Sequence, residues 1–176
     1  MTDDEDMAGF PFGTEHIGQI ALIVEDLDKA VENYWRLLGI GPWRFYTYAK
    51  PFVREMTYRG QPAEYRMRIA LAMIGTTHIE LIEVVDGPTI YSEFVQQHGC
   101  GLHHVGVMVE DLEEAIAKAE AMGFHVIQSG RGYGLDGDGG FAYLDTMERL
   151  GTTYELIEVP KRRAQPEKIF PEVNAL

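Results

Sequence analysis

Four residues of this chain have types and spacing that could do chemistry: Gln19, Glu80, His104 and Glu155. Glu80 and Glu155 each open the same pentapeptide, Glu-Leu-Ile-Glu-Val, at 80–84 and again at 155–159. His104 stands five residues before Val109, where a Val-Glu-Asp-Leu segment begins. The same segment begins at Val24, and five residues before it stands Gln19. An imidazole, two carboxylates and an amide oxygen suit a borderline-to-hard divalent cation, and two carboxylates balance its charge. A carboxylate that leaves such a cation could also act as a general base. Taken singly, none of the four carries much information: a Glu opening a strand is ordinarily a surface carboxylate, and a lone His ordinarily satisfies a core. Their repeated placement is the informative feature.

The elements that must position them repeat as well. The Val-Glu-Asp-Leu segments lie 85 residues apart and the Glu-Leu-Ile-Glu-Val segments 75 apart, in the same order. Each Val-Glu-Asp-Leu closes an apolar run that reads as a strand, 20–24 and 105–109. Each run is followed by apolar residues at helical spacing: Leu27, Ala30, Val31, Tyr34 and Leu38, then Leu112, Ala115, Ile116, Ala119 and Met122. Asp26 and Asp111 stand at N-cap positions, Glu114 completes a capping box, and Gly39 and Gly123 supply the stops. Three strands follow in each half: 43–48, 65–73 and 77–84 in the first, 125–128, 140–145 and 152–159 in the second. Residues 90–97 read as a short linking helix. Each half is therefore βαβββ, the class is α+β, and two curved four-stranded sheets would together enclose a cleft. The expected divisions are an acidic tail at 1–14, module one at 15–86, the link at 87–100, module two at 101–160 and a C-terminal tail at 161–176.

Composition narrows the function classes. Of 176 residues, 45% are apolar and 24% charged, the balance of a globular protein with a proper core. The formal net charge of −13 argues against a nucleic-acid binder, which neutralises phosphates with Lys and Arg. No apolar run approaches the ~20 residues a membrane-spanning helix needs. The opening Met-Thr-Asp-Asp-Glu-Asp is the reverse of a secretory charge pattern, so a cytoplasmic location is expected. Cys100 is the single cysteine, which excludes an internal disulfide and a multi-cysteine metal cluster.

The run Gly101-Leu-His-His-Val-Gly-Val-Met-Val-Glu-Asp-Leu112, with Thr77–Glu83 and Tyr154–Pro160, resembles the vicinal oxygen chelate superfamily of glyoxalase I, methylmalonyl-CoA epimerase, extradiol dioxygenases and bleomycin-resistance proteins. The wording of the motifs is nearest to methylmalonyl-CoA epimerases, and the resemblance covers about residues 16–160. It implies a glyoxalase-like fold and one divalent metal ion (Zn, Co, Ni or Mn) held by Gln19, Glu80, His104 and Glu155. It further implies a metal-dependent isomerase or epimerase that removes a proton α to a carbonyl, with Glu155 or Glu80 as the base. The alternatives are a glyoxalase I-like lyase on thiohemiacetals and a metal-free small-molecule binding protein of the bleomycin-resistance kind. An extradiol dioxygenase fits less well, since its site takes two His and one carboxylate and only His104 is well placed.

The ligand pattern Gln, Glu, His, Glu resembles zinc-type glyoxalase I, whereas epimerases more often begin with His. Epimerases also draw a second glutamate from the strand before Glu80, and here that strand carries Arg66 and Arg68, with Glu64 just outside it. His16 rivals Gln19 for the first ligand position. By strand alternation His78 shares a face with Glu80, and His103 faces away from His104 in a structural role. Module one is ten residues longer between its two motifs, in the stretch 41–60. Rich in Trp, Tyr, Phe and Arg, this stretch reads as a hydrophobic hairpin over the sheet or as a pocket wall, with Arg44, Arg54 or Arg68 reaching a substrate carboxylate. The Gly-rich run 129–140 lacks the ending of a phosphate loop and reads as a mobile loop beside the cleft. The basic segment 161–168 reads as a solvated tail or as a partner for an anionic substrate tail. A small organic acid or acyl thioester is the expected substrate, and a homodimer the expected assembly.

Overall fold

The alternation of apolar strands and capped helices folds as one continuous curled sheet, with the helix that follows the first strand of each module on its outer side. The computed structural model describes residues 17–172, so the acidic tail and His16 lie outside the described residues. In chain order the elements are β1 (Gln19–Ile23), α1 (Leu27–Leu38), β2 (Trp43–Tyr48), β3 (Glu55–Tyr58), β4 (Gln61–Pro62), β5 (Arg66–Ile74), β6 (Thr77–Asp86) and α2 (Ile90–His98). They continue as β7 (Gly101–Val109), α3 (Leu112–Ala121), β8 (Val126–Tyr133), β9 (Gly139–Leu144), α4 (Met147–Leu150), β10 (Thr153–Glu158) and β11 (Lys168–Phe170). The strand order is β11-β2-β5-β6-β1-β7-β10-β9-β8-β3-β4. Its central eight strands are the two βαβββ modules, joined in one chain where β1 runs antiparallel to β7.

The helices start and stop where their caps dictate. Asp26 accepts from the Lys29 N–H and Asp111 from the Glu114 N–H, both at 2.9 Å. Gly39 closes α1 in the left-handed region at φ 68°, where a side chain would be strained. The capping box at α3 is only half formed. The Glu114 carboxylate pairs with Lys118 one turn on, at 2.7 Å, instead of reaching back to the cap.

Both helices bury their apolar stripe against the outside of the curl. Leu27 and Val31 pack on Trp43, Phe45, Ala70, Ala72 and Leu81. Leu112, Ala115, Ile116 and Ala119 pack on Val107, Leu144 and Leu156. A third cluster, including Ala21, Ile23, Met67, Ile69, Ile82, Tyr91 and Tyr143, fills the inside. Each fully buried Leu or Ile contributes roughly 1.5–3 kcal/mol, so these clusters fix which face of every strand looks inward.

Three extra strands lie outside the repeat. The ten additional residues of module one form the β3–β4 hairpin, and β3 pairs with β8 on the outer edge of module two. The segment read as a C-terminal tail likewise carries a strand. Its β11 pairs with β2 on the outer edge of module one. Each module thus covers the other's open edge, which removes two rows of unpaired backbone groups. The Gly-rich run is also less of a loop than its composition suggests, because β8 continues to Tyr133. Gly130 is there for packing: a Cβ would stand 2.4 Å from the Phe141 ring and 2.9 Å from Val53.

Candidate metal centre and cleft

Sheet register brings the four repeat-related residues together. Across β1 and β7, Gln19 faces Gly106 and Ala21 faces His104. A shift of 85 residues carries Gln19 to His104 and Ala21 to Gly106, so the pairing is its own image under the repeat. Parallel to these strands, Ala21 neighbours Glu80 on β6 and Gly106 neighbours Glu155 on β10. The 75-residue offset is therefore structural too. All four side chains point into the curl and are buried, His104 completely.

Their polar atoms converge. The Gln19 amide nitrogen donates to Glu80 Oε2 and to Glu155 Oε2, each at 3.0 Å. His104 Nε2 stands 3.1 Å from Glu155 Oε2 and 3.5 Å from Glu80 Oε2. One donor atom each from Glu80, His104 and Glu155 lies within 4.8 Å of the others, close enough to hold one metal ion. Gly106 makes the room, since a Cβ there would come 2.9 Å from Gln19 Cβ and 3.3 Å from Glu155 Oε2.

The donor set fits a divalent cation on an observation of its own. Despite its nearness to two carboxylates, the fully buried His104 Nε2 has no aligned hydrogen-bond partner among the described residues. A buried nitrogen is rarely left so, and this one points at the place where the carboxylates and the carboxamide meet. Burial raises the Glu80 carboxyl, and Glu155 beside it adds to the rise against the pull of His104. Burial depresses the His104 imidazole, yet Glu155 and Glu80 outweigh it and hold the group up at about 9. Two carboxylates crowded around one imidazole are thus short of positive charge. With Gln19 turned to present its Oε1, two oxygen anions, an amide oxygen and an imidazole nitrogen would face the cation.

His103 departs from the alternation that would point it away from His104. A bulge in β7 leaves Leu22 opposite Leu102 while Ala21 stays opposite His104, so His103 is the inserted residue. A bulge breaks strict alternation, and both rings lie inside with their Nδ1 atoms 2.9 Å apart. For His104 Nε2 to serve as a ligand, its Nδ1 must carry the proton and donate to His103 Nδ1. His103 is a fitting acceptor, because burial holds it neutral with a pKa pushed down to about 2. Its ring lies among Tyr91, Phe94 and Tyr143, edge to face.

Above the centre opens an apolar cleft of about 690 Å³, counted to its open mouth. The stretch 41–60 supplies Tyr46, Tyr48 and Phe52 to its wall, and half-buried His78 lies beside Gln19. Module two supplies Tyr133, Phe141 and Tyr143, none of which strand periodicity distinguishes from ordinary core. The Tyr143 hydroxyl is held at 2.6 Å by Tyr91.

The three arginines expected to meet a substrate lie elsewhere. Arg68 faces α1, where its guanidinium binds Asp28 and Glu83, both at 2.7 Å. Arg54 lies against the outer loop of module two, filling the space beside Gly132 and Gly137. Arg44 shares the inward face of β2 with Tyr46 and Tyr48 but sits beyond the residues that line the cleft. The arginine in the wall is instead Arg163, from the segment whose composition reads as a solvated tail.

A family model, described as the glyoxalase/bleomycin resistance protein/dioxygenase superfamily, matches residues 18–143. The chain belongs to this superfamily. Solved structures agree on the fold. A hypothetical protein of Bacillus halodurans C-125 superposes with a TM-score of 0.59 at 22% identity, over 85% of this chain and 98% of that one. The methylmalonyl-CoA epimerase of Mycobacterium tuberculosis gives 0.57 at 21% identity, over 82% and 89%. That of Streptomyces coelicolor, in complex with 2-nitronate-propionyl-CoA, gives 0.57 at 20% identity, over 81% and 95%. No curated protein sequence matches this chain. Among its described helices, none is long and apolar enough to cross a membrane.

Proposed function

We propose that this superfamily member is a divalent-metal-dependent isomerase or epimerase that removes a proton from the carbon α to a carbonyl. One observation carries the reading: the buried, unpartnered His104 Nε2 faces two carboxylates and a carboxamide at the floor of an apolar cleft. A divalent cation held by Gln19, Glu80, His104 and Glu155 would supply Lewis-acid stabilisation of the charge that develops on two vicinal oxygens as the proton leaves. Glu155 takes that proton, and Glu80 is the second carboxylate within the same floor. The aromatic wall of Tyr48, Tyr133 and Phe141 excludes water and keeps the dielectric low, which strengthens every charge interaction inside.

The bases stand on one side only. Glu80 and Glu155 are the only carboxylates lining the cleft among the described residues. Glu64, at the position where a second epimerase base would be sought, is exposed and pairs with Lys50 at 2.9 Å. What the cleft walls offer are phenols. Burial raises Tyr48 and Tyr133 above their ordinary value, so both hold their protons tightly at neutral pH and are weak acids. Epimerisation in this cleft would need one of these phenols to protonate the face opposite the carboxylate, passing through a buried phenolate, and then to recover its proton from the protonated glutamate or from solvent. The one-sided carboxylates also favour a second reading, a glyoxalase I-like lyase acting on thiohemiacetals, in which one base returns the proton it took.

The test is metal analysis of purified protein, followed by deuterium uptake from solvent across a panel of α-substituted acyl thioesters, free acids and thiol–methylglyoxal adducts. Stoichiometric Zn, Co, Ni or Mn and uptake at one α-carbon are expected. Protein that carries no such metal and takes none up would favour a metal-free binding protein. Turnover of the thiol adducts alone would favour the lyase.

A further inference from the structure

We propose that Arg163 binds an anionic group of the substrate, so that the cleft takes carbonyl compounds bearing a carboxylate or similar anion away from the reacting carbon. This rests on the reading above for where the reacting carbon lies, and it adds the substrate class.

The segment that carries Arg163 is a strap. It leaves module two at the end of β10 and reaches module one as β11, passing along the cleft mouth, where Val159, Pro160, Arg163 and Ala164 join the wall. Both ends are tied. On the module two side, the Leu135 N–H donates to the Arg162 carbonyl at 3.0 Å and the Lys161 N–H to Asp138 at 3.3 Å. On the module one side, the Glu167 N–H donates to the Phe45 carbonyl, and the Thr47 N–H to the Glu167 carboxylate, both at 2.9 Å.

The cations along this strap are not equivalent. Arg162 pairs outward with Asp136, and Lys168 pairs with Asp28. Arg163 and Lys161 form no ion pair among the described residues although the chain is strongly acidic, and of the four cations only Arg163 lines the cleft. Its charge is felt on both walls: by Tyr46 on β2, by His78 on β6 and by Tyr133 on β8. It forms no ion pair with Glu80 or Glu155, which are occupied with Gln19 and His104. Once a dication offsets those two carboxylates, Arg163 is the uncompensated charge of the cleft. Arg163 is itself exposed, at the open mouth of the cleft, and a guanidinium there can bind a carboxylate through two parallel hydrogen bonds. Arg163 would therefore act on binding and specificity and not on the proton transfer.

The test uses zinc-loaded full-length protein and hydroxamates, whose two vicinal oxygens chelate the metal. Adipic and suberic monohydroxamates are compared with their methyl esters by calorimetry. Wild type should bind the acid at least tenfold more tightly than the ester for one of the two lengths. Arg163→Gln should lose that preference while binding acetohydroxamate unchanged, and Arg163→Lys should keep part of it. Arg162→Gln, which alters an outward pair, should keep all of it. A second arm needs no metal: chemical-shift titration with 4-phenylbutyrate against 4-phenylbutanamide, in wild type and Arg163→Gln. If no hydroxamate binds but the carboxylate preference still depends on Arg163, the metal reading fails and this proposal stands. A preference for the anion that is equal in wild type and Arg163→Gln overturns it, as does absence of any preference in both arms.

Discussion

The two modules share a plan and differ where it counts. Each offers one residue from its first strand and one Glu from its last, but module one contributes Gln19 and module two His104. Ala21 in module one becomes Gly106 in module two. Where β1 meets β7, these differences complement one another: His104 lies opposite Ala21, and Gln19 lies opposite Gly106. The absence of a Cβ at Gly106 is what lets Gln19 and Glu155 sit so close. Duplication alone would give a symmetric four-ligand site. The divergence gives one half an ionisable imidazole backed by a second histidine and the other half a neutral amide.

The largest expected effect comes from removing either glutamate. Glu155→Gln should abolish stoichiometric metal content and lower solvent deuterium uptake by ~10²–10⁴-fold, the range for loss of a general base. Glu80→Gln should also lose metal, with the smaller loss of uptake, since Glu155 stands nearer His104. Equal effects on uptake would remove the functional distinction between the modules. Stability should move the other way. The Glu80 carboxyl is raised by burial and by Glu155, so its ionised form disfavours the metal-free fold at neutral pH. Metal-free Glu80→Gln should melt no lower than metal-free wild type.

A second experiment addresses the histidine pair that only module two has. His103→Phe keeps a ring among Tyr91, Phe94 and Tyr143 but removes the acceptor for His104 Nδ1. Loss of such an outer partner ordinarily costs ~10–100-fold in metal affinity. Titration of the metal-free variant with Zn, alongside the long-range nitrogen spectrum of His104, separates loss of tautomer control from loss of packing. If zinc affinity is unchanged, the bulge is a matter of packing alone.

The third compares Gly106 with its repeat partner. Gly106→Ala would place a Cβ 2.7 Å from Ile157 and 2.9 Å from Gln19, an overpacking that costs about 1–3 kcal/mol. It should also displace Gln19 and weaken zinc binding. Ala21→Gly removes a single buried methyl and should leave zinc affinity within about twofold. Thermal melts and zinc titrations of both variants decide whether the Gly–Ala difference serves the site.

How much of this was legible in the sequence depends on the range of the interaction. Strands, helices and caps follow local periodicity, and the four central residues follow from a repeat that any alignment of the chain with itself exposes. A hairpin in the stretch 41–60 was one of two readings of its composition, but the pairing partners of the edge strands were not legible. β3, β4 and β11 are only two to four residues long, too short for periodicity to stand out, and β3 and β11 pair with an open edge in the other module. His103 escaped for a different reason: one inserted residue in a strand reverses the face of its neighbour and leaves no mark in composition. That Arg68 lies outside the cleft and Arg163 in its wall was not legible either, because charge type says nothing about which face of a strand or strap a side chain takes. Parity along β5 does put Arg68 on the face opposite Met67 and Ile69, but only α1 shows which of those faces is the cleft.

The smallest effect expected lies at the far edge, where module two's strap is fastened to module one. Asp28 on α1 binds Arg68 of β5 and Lys168 of β11, at 2.7 and 2.6 Å. Those two bonds hold its carboxyl below the ordinary value against a modest rise from burial. A depressed carboxylate contributes stability above its unfolded pKa, and that contribution fades as pH falls through the lower, folded value. The link should therefore be intact at neutral pH and weaken only below about pH 4. The groups are partly exposed, so Asp28→Asn should cost well under about 1 kcal/mol and be screened further by salt. Global melting is too blunt to read it. Amide exchange at Ile169, on the strand that Asp28 helps to hold, should quicken at neutral pH in the variant and quicken in wild type on acidification, while exchange within β1 and β7 stays unchanged. If β1 and β7 quicken together with β11, the strap is part of the same cooperative unit as the metal centre. Its position over the cleft is then fixed by the whole fold and not by its own ties.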